Sequence, residues 1–167
     1  MAQETRWRIR PAIAADRGFL ERLSPRLATG IPSWRSHEAM RATARQWLLD
    51  NLDHMGADGM VFIAEDTNGI AVGVATVERS RHFTGTPQGE LGELAVVEAV
   101  EGQGVAALLL AAAEDWAREQ GLPLLALGTG MANTRARAFY ARHGYQEEDV
   151  RLAKLLQPEQ PEIQQPD

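Results

Sequence analysis

Two closely spaced glycines give the sequence its clearest chemical signal. Gly102 and Gly104 separate an apolar run with β-branched residues, 91–97, from a segment in which apolar residues recur at helical spacing, 105–120. The pattern predicts a strand, a tight loop and a helix. Glycine lets such a loop adopt positive φ, while the first helical turn presents unpaired N–H groups and partial positive charge. The sequence therefore predicts an anion site at residues 101–106, here called the phosphate loop.

The residue types elsewhere exclude several chemistries. The 167-residue chain has no cysteine, which removes thiolate nucleophiles, cysteine-ligated zinc and disulfides. Any Schiff-base chemistry would rest on one lysine, Lys154. None of the four histidines has metal-ligand spacing with another, so no metal site is expected. The sequence also lacks Walker A, Gly-x-Ser-x-Gly and His-Glu-x-x-His segments, which removes the commonest NTPase, hydrolase and zinc-protease arguments.

Composition and charge indicate the class of partner. A net charge of −6 and a pI near 5.3 disfavour nucleic-acid binding and suit a cationic or amine partner. The sequence shows no signal peptide and no apolar run that could span a bilayer, so we expect a cytoplasmic protein that does not bind membranes. We expect one domain over residues 1–157 and, because residues 158–167 are rich in proline, glutamine and acids, a disordered tail.

Periodicity and turn residues predict the elements around the phosphate loop. Before the loop we expect, in chain order, a strand at 7–10, helices starting at Asp16 and at Ser33 or Ser36, a hairpin of 60–65 with 70–77, and a mobile polar loop at 79–89. After it we expect a strand at 122–127, parallel to strand 91–97 because a helix connects them, then a helix capped by Asn133 or Thr134, and a closing hairpin at 145–147 and 150–156.

Two segments resemble the GNAT superfamily of N-acetyltransferases. The run Glu101-Gly102-Gln103-Gly104-Val105-Ala106 is similar to that family's acyl-CoA loop, Gln/Arg-x-x-Gly-x-Gly/Ala. The run Asn133-Thr134-Arg135-Ala136-Arg137-Ala138-Phe139-Tyr140-Ala141-Arg142-His143-Gly144-Tyr145 resembles its Asn-x-x-Ala-x-x-Phe-Tyr-x-x-x-Gly-Phe/Tyr segment. The likeness extends over residues 7–156. It implies a mixed α/β (α+β) fold, with a strongly twisted central sheet, helices on both faces and a V-shaped splay between the fourth and fifth strands.

The resemblance also implies a cofactor and the residues that hold it. Acetyl-CoA is the expected co-substrate, and its acetyl group passes to a primary amine by direct attack on the thioester. The implied contacts are the strand backbone at Ala95, Val96 and Val97 for pantetheine, the loop residues Glu101, Gly102, Gln103, Gly104, Val105 and Ala106 for the diphosphate, and Asn133 and Tyr140 from the second motif. Helix capping alone also explains Asn133, and Arg135 and Arg137 are either phosphate ligands or solvated.

The resemblance nominates two catalytic side chains. Tyr140 protonates the departing CoA thiolate; the alternative is a core tyrosine with a hydroxyl bonded to backbone. Glu93 accepts the proton of the amine, and burial among Leu91, Leu94 and Val96 would raise its pKa. As an alternative role, Glu93 orients a cationic substrate or pairs with an arginine. Other candidate bases are Glu90, which a regular strand would place on the opposite face, His82, and water.

Glu101 departs from the family pattern, which has Gln or Arg there. A carboxylate about 6 Å from a phosphate charge costs roughly 1 kcal/mol, so we expect Glu101→Gln to tighten acetyl-CoA binding. Glu101 also keeps open a non-catalytic acyl-CoA-binding or regulatory module with the same fold. A dinucleotide-binding motif at Gly102 to Ala107 is excluded. Such a motif needs an acidic residue for the ribose after the following strand, and Gly-Thr-Gly follows strand 122–127 instead.

The acceptor stays open at the level of sequence. Small-molecule amines, aminoglycoside-like polyamines, amino acids and peptide or protein amines all fit, and the sequence is compatible with a homodimer. Trp34 and Trp47 belong to the region that forms the acceptor pocket in the family, although the apolar neighbours of Trp47 favour a core position for it.

Overall fold

The computed structural model describes residues 6–156, and the five strands in this range form a single sheet. The strands follow one another across the sheet in chain order: β1 (Trp7–Pro11), β2 (Gly59–Asp66), β3 (Ala71–Arg81), β4 (Pro87–Val96) and β5 (Leu125–Leu127). The first four are antiparallel neighbours, and β5 joins β4 in parallel, as the helical crossover predicts.

Four helices accompany the sheet: α1 (Arg17–Leu23), α2 (His37–Asp53), α3 (Val105–Glu119) and α4 (Thr134–Arg142). Short 3₁₀ turns lie at Ala14–Asp16, Ser24–Leu27 and Glu98–Val100. Two of the helices begin at side-chain caps. Ser36 accepts a hydrogen bond from the Ala39 N–H at the start of α2, and Asn133 accepts one from Ala136 at the start of α4, both at 3.1 Å.

The sheet buries both of its faces. On one face α3 packs against β2, β3 and β4, and its buried side chains include Leu109, Leu110 and Trp116. On the other face, here called the acceptor face, α1 and α2 pack Leu20 and Leu48 against residues of β2 and β3. The predicted arrangement of a mixed sheet with helices on both faces is confirmed.

β4 and β5 diverge after three residue pairs. Gly89, Glu90 and Leu91 pair with Leu125, Ala126 and Leu127, whereas β4 continues to Val96 without a partner on that side among the described residues. This is the predicted splay. At its closed end, a Cβ added to Gly89 would lie 2.9 Å from Leu125 Cδ1 and 3.3 Å from Ala117 Cβ. A glycine therefore allows the two strands and α3 to meet there.

β4 contains a bulge, which the sequence did not predict. Leu94 pairs with Ala75 and Leu91 pairs with Val77, so that Thr76 alone stands opposite two residues of β4, Gly92 and Glu93. The extra residue shifts the alternation of side chains by one. Leu91 and Leu94, three positions apart, consequently pack in the same core beside α3. Glu90 and Glu93 have the same spacing and therefore share the acceptor face.

The prediction of a mobile loop at 79–89 is wrong. β3 continues to Arg81 and β4 begins at Pro87, with Arg79 pairing with Gly89 and Arg81 with Pro87. The ladder satisfies the backbone of these residues while most of their polar side chains face solvent, with Gln88 buried, so their composition imitates a loop. The strand predicted at 122–127 is also shorter, because Leu122 still donates its N–H to the Ala117 carbonyl at the end of α3.

Two further predictions fail. Among the described residues, no strand forms after α4, so the closing hairpin at 145–156 is wrong; Leu152 is 88% exposed, and a hairpin without a surface to pack on is marginal in water. Trp47 is 47% exposed rather than part of the core, because α2 turns its neighbour Leu48 inward instead. The predicted tail at 158–167 lies outside the described residues. None of the helices between residues 6 and 156 is both long and apolar enough to cross a bilayer.

Candidate functional site

The phosphate loop has the backbone geometry that its glycines predict. Gly102 and Gly104 have φ of 73° and 85°, and a Cβ at either would meet no atom within 4 Å. Gly104 is the N-cap of α3 and has no side chain, so no side-chain cap occupies the amides of the first turn. The Gln103 N–H already donates to the Val100 carbonyl at 3.2 Å. The amides left for an anion are therefore those at the very start of α3.

Beside this loop, the unpaired edge of β4 offers backbone groups to an extended ligand. Val96 pairs with Gly73 of β3, and Val97 donates its N–H to the Val72 carbonyl at 2.8 Å. Both contacts lie on the β3 side, while the side toward β5 stays open from Gly92 to Val96. An extended arm with amide groups can pair with an open strand edge of this kind.

Glu93 is a buried carboxyl at the bulge of β4. Its side chain accepts hydrogen bonds from the Thr76 hydroxyl and, at 3.3 Å, from the Asn51 amide of α2. Both reach the same oxygen, Oε2, and no described residue donates to Oε1. Glu93 is only 6% exposed, and this burial raises its pKa; the Thr76 hydrogen bond opposes the rise, and the charge of Glu78 adds to it.

The surroundings of Glu93 differ from the prediction. Leu91, Leu94 and Val96 pack on the opposite face of the sheet with α3, so they do not enclose its carboxyl group. Polar groups of β3 and α2 contact it instead. The raised pKa thus comes from the loss of solvent contact, and not from the three residues that the sequence predicted.

Glu90 lies on the same face as Glu93. Its Oε2 accepts from the Gln88 amide at 3.2 Å and lies 3.5 Å from the Ser80 hydroxyl. Glu90 is partly buried rather than fully solvated, so the acceptor face carries two carboxyls close to the splay. His82 lies in the β3–β4 turn, where a ring nitrogen is 2.7 Å from the Thr84 hydroxyl.

Tyr140 projects from α4 toward the core beside α3. Its ring makes edge-on contacts with Phe139 and Tyr145, at centroid distances of 5.2 and 5.7 Å. Burial raises the pKa of Tyr140 to about 12, so the phenol keeps its proton at neutral pH. No described residue forms a hydrogen bond with its hydroxyl, which contrasts with the alternative of a core tyrosine bonded to backbone. Among residues 6–156, the Tyr140 hydroxyl therefore has no hydrogen-bond partner.

Glu101 is held by two arginines. Arg26 contacts one carboxylate oxygen and Arg135 donates to the other at 2.6 Å. The Arg135 hydrogen bond is the largest cause of a lowered Glu101 pKa, and Arg26 adds to it. Arg137 pairs with Glu147 instead. The sequence singled out Arg135 as a possible phosphate ligand but gave no indication of Arg26.

Sequence reasoning missed Thr76, Asn51 and Arg26. Thr76 and Asn51 contact Glu93, and Arg26 contacts Glu101. The two residues of each pair are 17 to 75 positions apart in the sequence. Thr76 and Asn51 interrupt otherwise apolar patterns in β3 and α2, but that signal alone does not identify their partner.

The architecture and both motif regions agree with one family. The model of the acetyltransferase (GNAT) family matches residues 27–145, which include the phosphate loop and α4. The chain belongs to the GNAT acetyltransferase family. The resemblance noted in the sequence is thereby confirmed, over most of the chain.

The chain is similar to a curated relative in sequence and to solved structures in fold. The chain is 36% identical over 90 residues to aminoalkylphosphonate N-acetyltransferase from Salmonella typhimurium, a match that spans 53% of this chain and 58% of the relative. The aminoglycoside N-acetyltransferase AAC(6')-Iy in complex with CoA has a TM-score of 0.68 at 22% identity, covering 93% of this chain and 99% of the other.

A second solved structure with the same fold is named for a different acceptor. Glucosamine-6-phosphate N-acetyltransferase from Arabidopsis thaliana has a TM-score of 0.64 at 16% identity, over 90% of this chain and 99% of the other. At these identities the two structures show the common fold alone.

Proposed function

We propose that this GNAT protein is an acetyl-CoA-dependent N-acetyltransferase that acts on a primary amine. The observation that supports it most directly is the splay between β4 and β5. The splay leaves a strand edge open between a loop with free amides at one end and a buried carboxyl, Glu93, on the acceptor face. Family membership and a relative named as an N-acetyltransferase support the same reaction.

In this proposal the chain positions two substrates and moves two protons. The first-turn amides of α3 hold the diphosphate, and the β4 edge from Ala95 to Val97 aligns pantetheine. The neutral amine attacks the thioester carbonyl, a carbon–nitrogen bond forms, and the carbon–sulfur bond then breaks. After the attack, Glu93 takes a proton from the positively charged nitrogen of the adduct, directly or through water, and Tyr140 gives its proton to the leaving thiolate; the proton held by Glu93 then returns to Tyr140 by exchange through solvent.

The displaced pKa values suit these roles. A carboxylate whose conjugate acid has a raised pKa is a stronger base than a solvated one, and burial raises the pKa of Glu93. Oε1 of Glu93 has no donor among the described residues, so it can accept the proton while Thr76 and Asn51 hold Oε2. The same arrangement also orients a cationic amine before transfer.

The acceptor that we propose carries more than one positive charge. Glu93 and Glu90 share the acceptor face, and Glu78 is near enough to raise the pKa of Glu93. The negative electrostatic potential of these carboxyl groups favours a polycation over an amine that also carries a negatively charged group. The curated relative is named for aminoalkylphosphonates, and the CoA-bound structure is named for aminoglycosides. The carboxyl groups on the acceptor face support an aminoglycoside-like polyamine as the acceptor of this chain.

The test is acetyl-CoA turnover with a panel of amines, followed through release of free CoA thiol. The panel contains an aminoglycoside, a linear polyamine, an aminoalkylphosphonate, amino acids and a peptide with a free N-terminus. We expect amine-dependent thiol release, highest with the polycations. Binding of acetyl-CoA without thiol release for any amine would instead support the non-catalytic acyl-CoA-binding module.

A further inference from the structure

Three segments that are distant in sequence meet at Glu101. Arg26 comes from the 3₁₀ turn Ser24–Leu27 after α1, Arg135 from the first turn of α4, and Glu101 from the phosphate loop. Each arginine contacts a different oxygen of the carboxylate. The two guanidinium groups therefore converge on one anion at the entrance to α3.

Backbone contacts hold the same segments together. A Cβ added to Gly30 would lie 2.5 Å from Asn133 Cβ, and one added to Gly130 would lie 2.5 Å from the Gly30 carbonyl oxygen. Gly30 follows the turn that carries Arg26, and Asn133 caps the helix that carries Arg135. The convergence of the arginines thus rests on close packing of two connections as well as on ion pairs.

The charges around Glu101 do not balance. Two guanidinium groups face one carboxylate, which leaves an excess positive charge beside the unpaired amides of α3. Guanidinium groups bind carboxylates and phosphates with the same planar donor geometry. Glu101 therefore occupies, within the protein, the kind of position that a phosphate oxygen can take.

We propose that Arg26 and Arg135 form a phosphate subsite for the nucleotide end of CoA, and that Glu101 holds them together until a phosphate displaces it. The inference rests on the proposed function in that it needs acetyl-CoA to bind. It explains why a carboxylate is tolerated in the phosphate loop: paired with two arginines, it keeps two phosphate ligands in place, and the cofactor must break these ion pairs when it binds.

The decisive experiment removes each arginine in a background that lacks the carboxylate. In Glu101→Gln, neither arginine has an ion pair to lose, so any change in acetyl-CoA affinity reports its contact with the ligand. We expect Arg26→Gln and Arg135→Gln, each made in this background, to weaken acetyl-CoA binding about tenfold or more by calorimetry. Glu101→Gln itself should bind about fivefold more tightly than the native protein.

Matched variants control for net charge. Arg142→Gln removes the same charge from the last turn of α4, where the arginine has no ion pair with a described residue, and should leave the affinity of Glu101→Gln within twofold. Glu98→Gln matches Glu101→Gln from the neighbouring 3₁₀ turn and should not reproduce its gain. Melting temperatures without ligand identify misfolded variants, for which Arg→Lys at the same position replaces Arg→Gln.

Each outcome decides a separate question. Unchanged affinity after loss of either arginine from Glu101→Gln, or an equal loss in the Arg142 variant, overturns the subsite while acetyl-CoA binding and the proposed function stand. If the native protein does not bind acetyl-CoA at all, the proposed function fails first, and the subsite with it.

Discussion

Glu93 and Tyr140 have pKa values displaced in directions that suit opposite proton transfers. Burial is the main cause for both, since it disfavours the charged form of a carboxyl and of a phenol alike. Yet the consequences differ: Glu93 becomes a better proton acceptor, whereas Tyr140 stays protonated at neutral pH and, in the proposed mechanism, gives its proton to the thiolate. The two residues lie on different elements, β4 and α4, so each can be tested without removing the other.

Glu93→Gln should lower kcat by about a hundredfold or more, because the amide accepts no proton but keeps the size of the side chain. Steady-state thiol release with the best amine measures it. Glu78→Gln is the matched control, since it removes one carboxyl of the same acidic group but no proposed base. An equal effect of both variants would indicate general electrostatics instead of base catalysis.

Tyr140→Phe should reduce kcat about tenfold to a hundredfold and change acetyl-CoA affinity less than twofold. The ring contacts with Phe139 and Tyr145 survive, and only the unbonded hydroxyl is lost. Tyr145→Phe serves as the control, because its hydroxyl donates to Glu114 at 3.2 Å and has no proposed catalytic role. A loss of affinity in place of turnover would make Tyr140 a binding residue.

Glu93 also links stability to pH. Its folded-state pKa lies above the ordinary value of 4.5, so the protonated carboxyl favours the folded state and that stability is lost as pH rises through the folded pKa. The Glu93→Gln variant has no carboxyl group at this position, so it does not lose this stability as pH rises. The melting temperature of the variant relative to the native protein should therefore increase between pH 4 and pH 8, and a constant difference would contradict the raised pKa.

At the scale of elements, the bulge in β4 determines which groups contact the proposed base, Glu93. It places Thr76 opposite both Gly92 and Glu93, and the Thr76 hydroxyl accepts from the Glu93 N–H at 2.9 Å while it donates to the Glu93 carboxyl. One side chain of β3 thus fixes the backbone and the side chain of the proposed base. A regular ladder would have turned Glu90 and Glu93 to opposite faces.

Thr76→Val should move the acidic limb of the kcat/KM pH profile to higher pH. The Thr76 hydrogen bond lowers the Glu93 pKa against the effect of burial, so its removal lets that pKa rise further. Thr76→Ser keeps the hydroxyl and should keep the native profile. A profile that does not move in Thr76→Val would show that the acidic limb belongs to another group.

At the scale of the whole molecule, the proposed ligand site joins parts of the chain that are distant in sequence. The connection after α1, the phosphate loop and the start of α4 contact one another around Glu101 and Gly30. A ligand bound there contacts the folded chain and has no equivalent site in the unfolded one. Binding should therefore stabilise the protein as a unit.

Acetyl-CoA at about one hundred times its Kd should raise the melting temperature by roughly 5 to 10 °C, from a gain of about 2.7 kcal/mol and a shift of roughly 2 to 4 °C per kcal/mol. Thermal unfolding followed by circular dichroism measures it. The same concentration of S-acetylpantetheine, which has no phosphate groups, should protect much less. Equal protection by both compounds would contradict a site built around phosphate.

The sequence by itself determined the family, the order of elements through α4 and the position of the phosphate loop. The order of elements and the position of the loop depend on local signals: glycines that permit positive φ, caps such as Ser36 and Asn133, and hydrophobic periods that distinguish helix from strand. The family came from the resemblance of two motifs, at residues 101–106 and 133–145. The same local reasoning failed at residues 79–89 and 145–156, where the outcome depends on whether a distant strand supplies hydrogen bonds or a packing surface.

Only the tertiary structure decided how the proposed site is assembled. The sheet register puts Thr76 and Asn51 on Glu93, and packing of two connections brings Arg26 and Arg135 to Glu101. The physical reason is that pKa shifts and ion pairs depend on distances of a few ångströms between atoms, and for residues far apart in the chain only the folded backbone sets those distances.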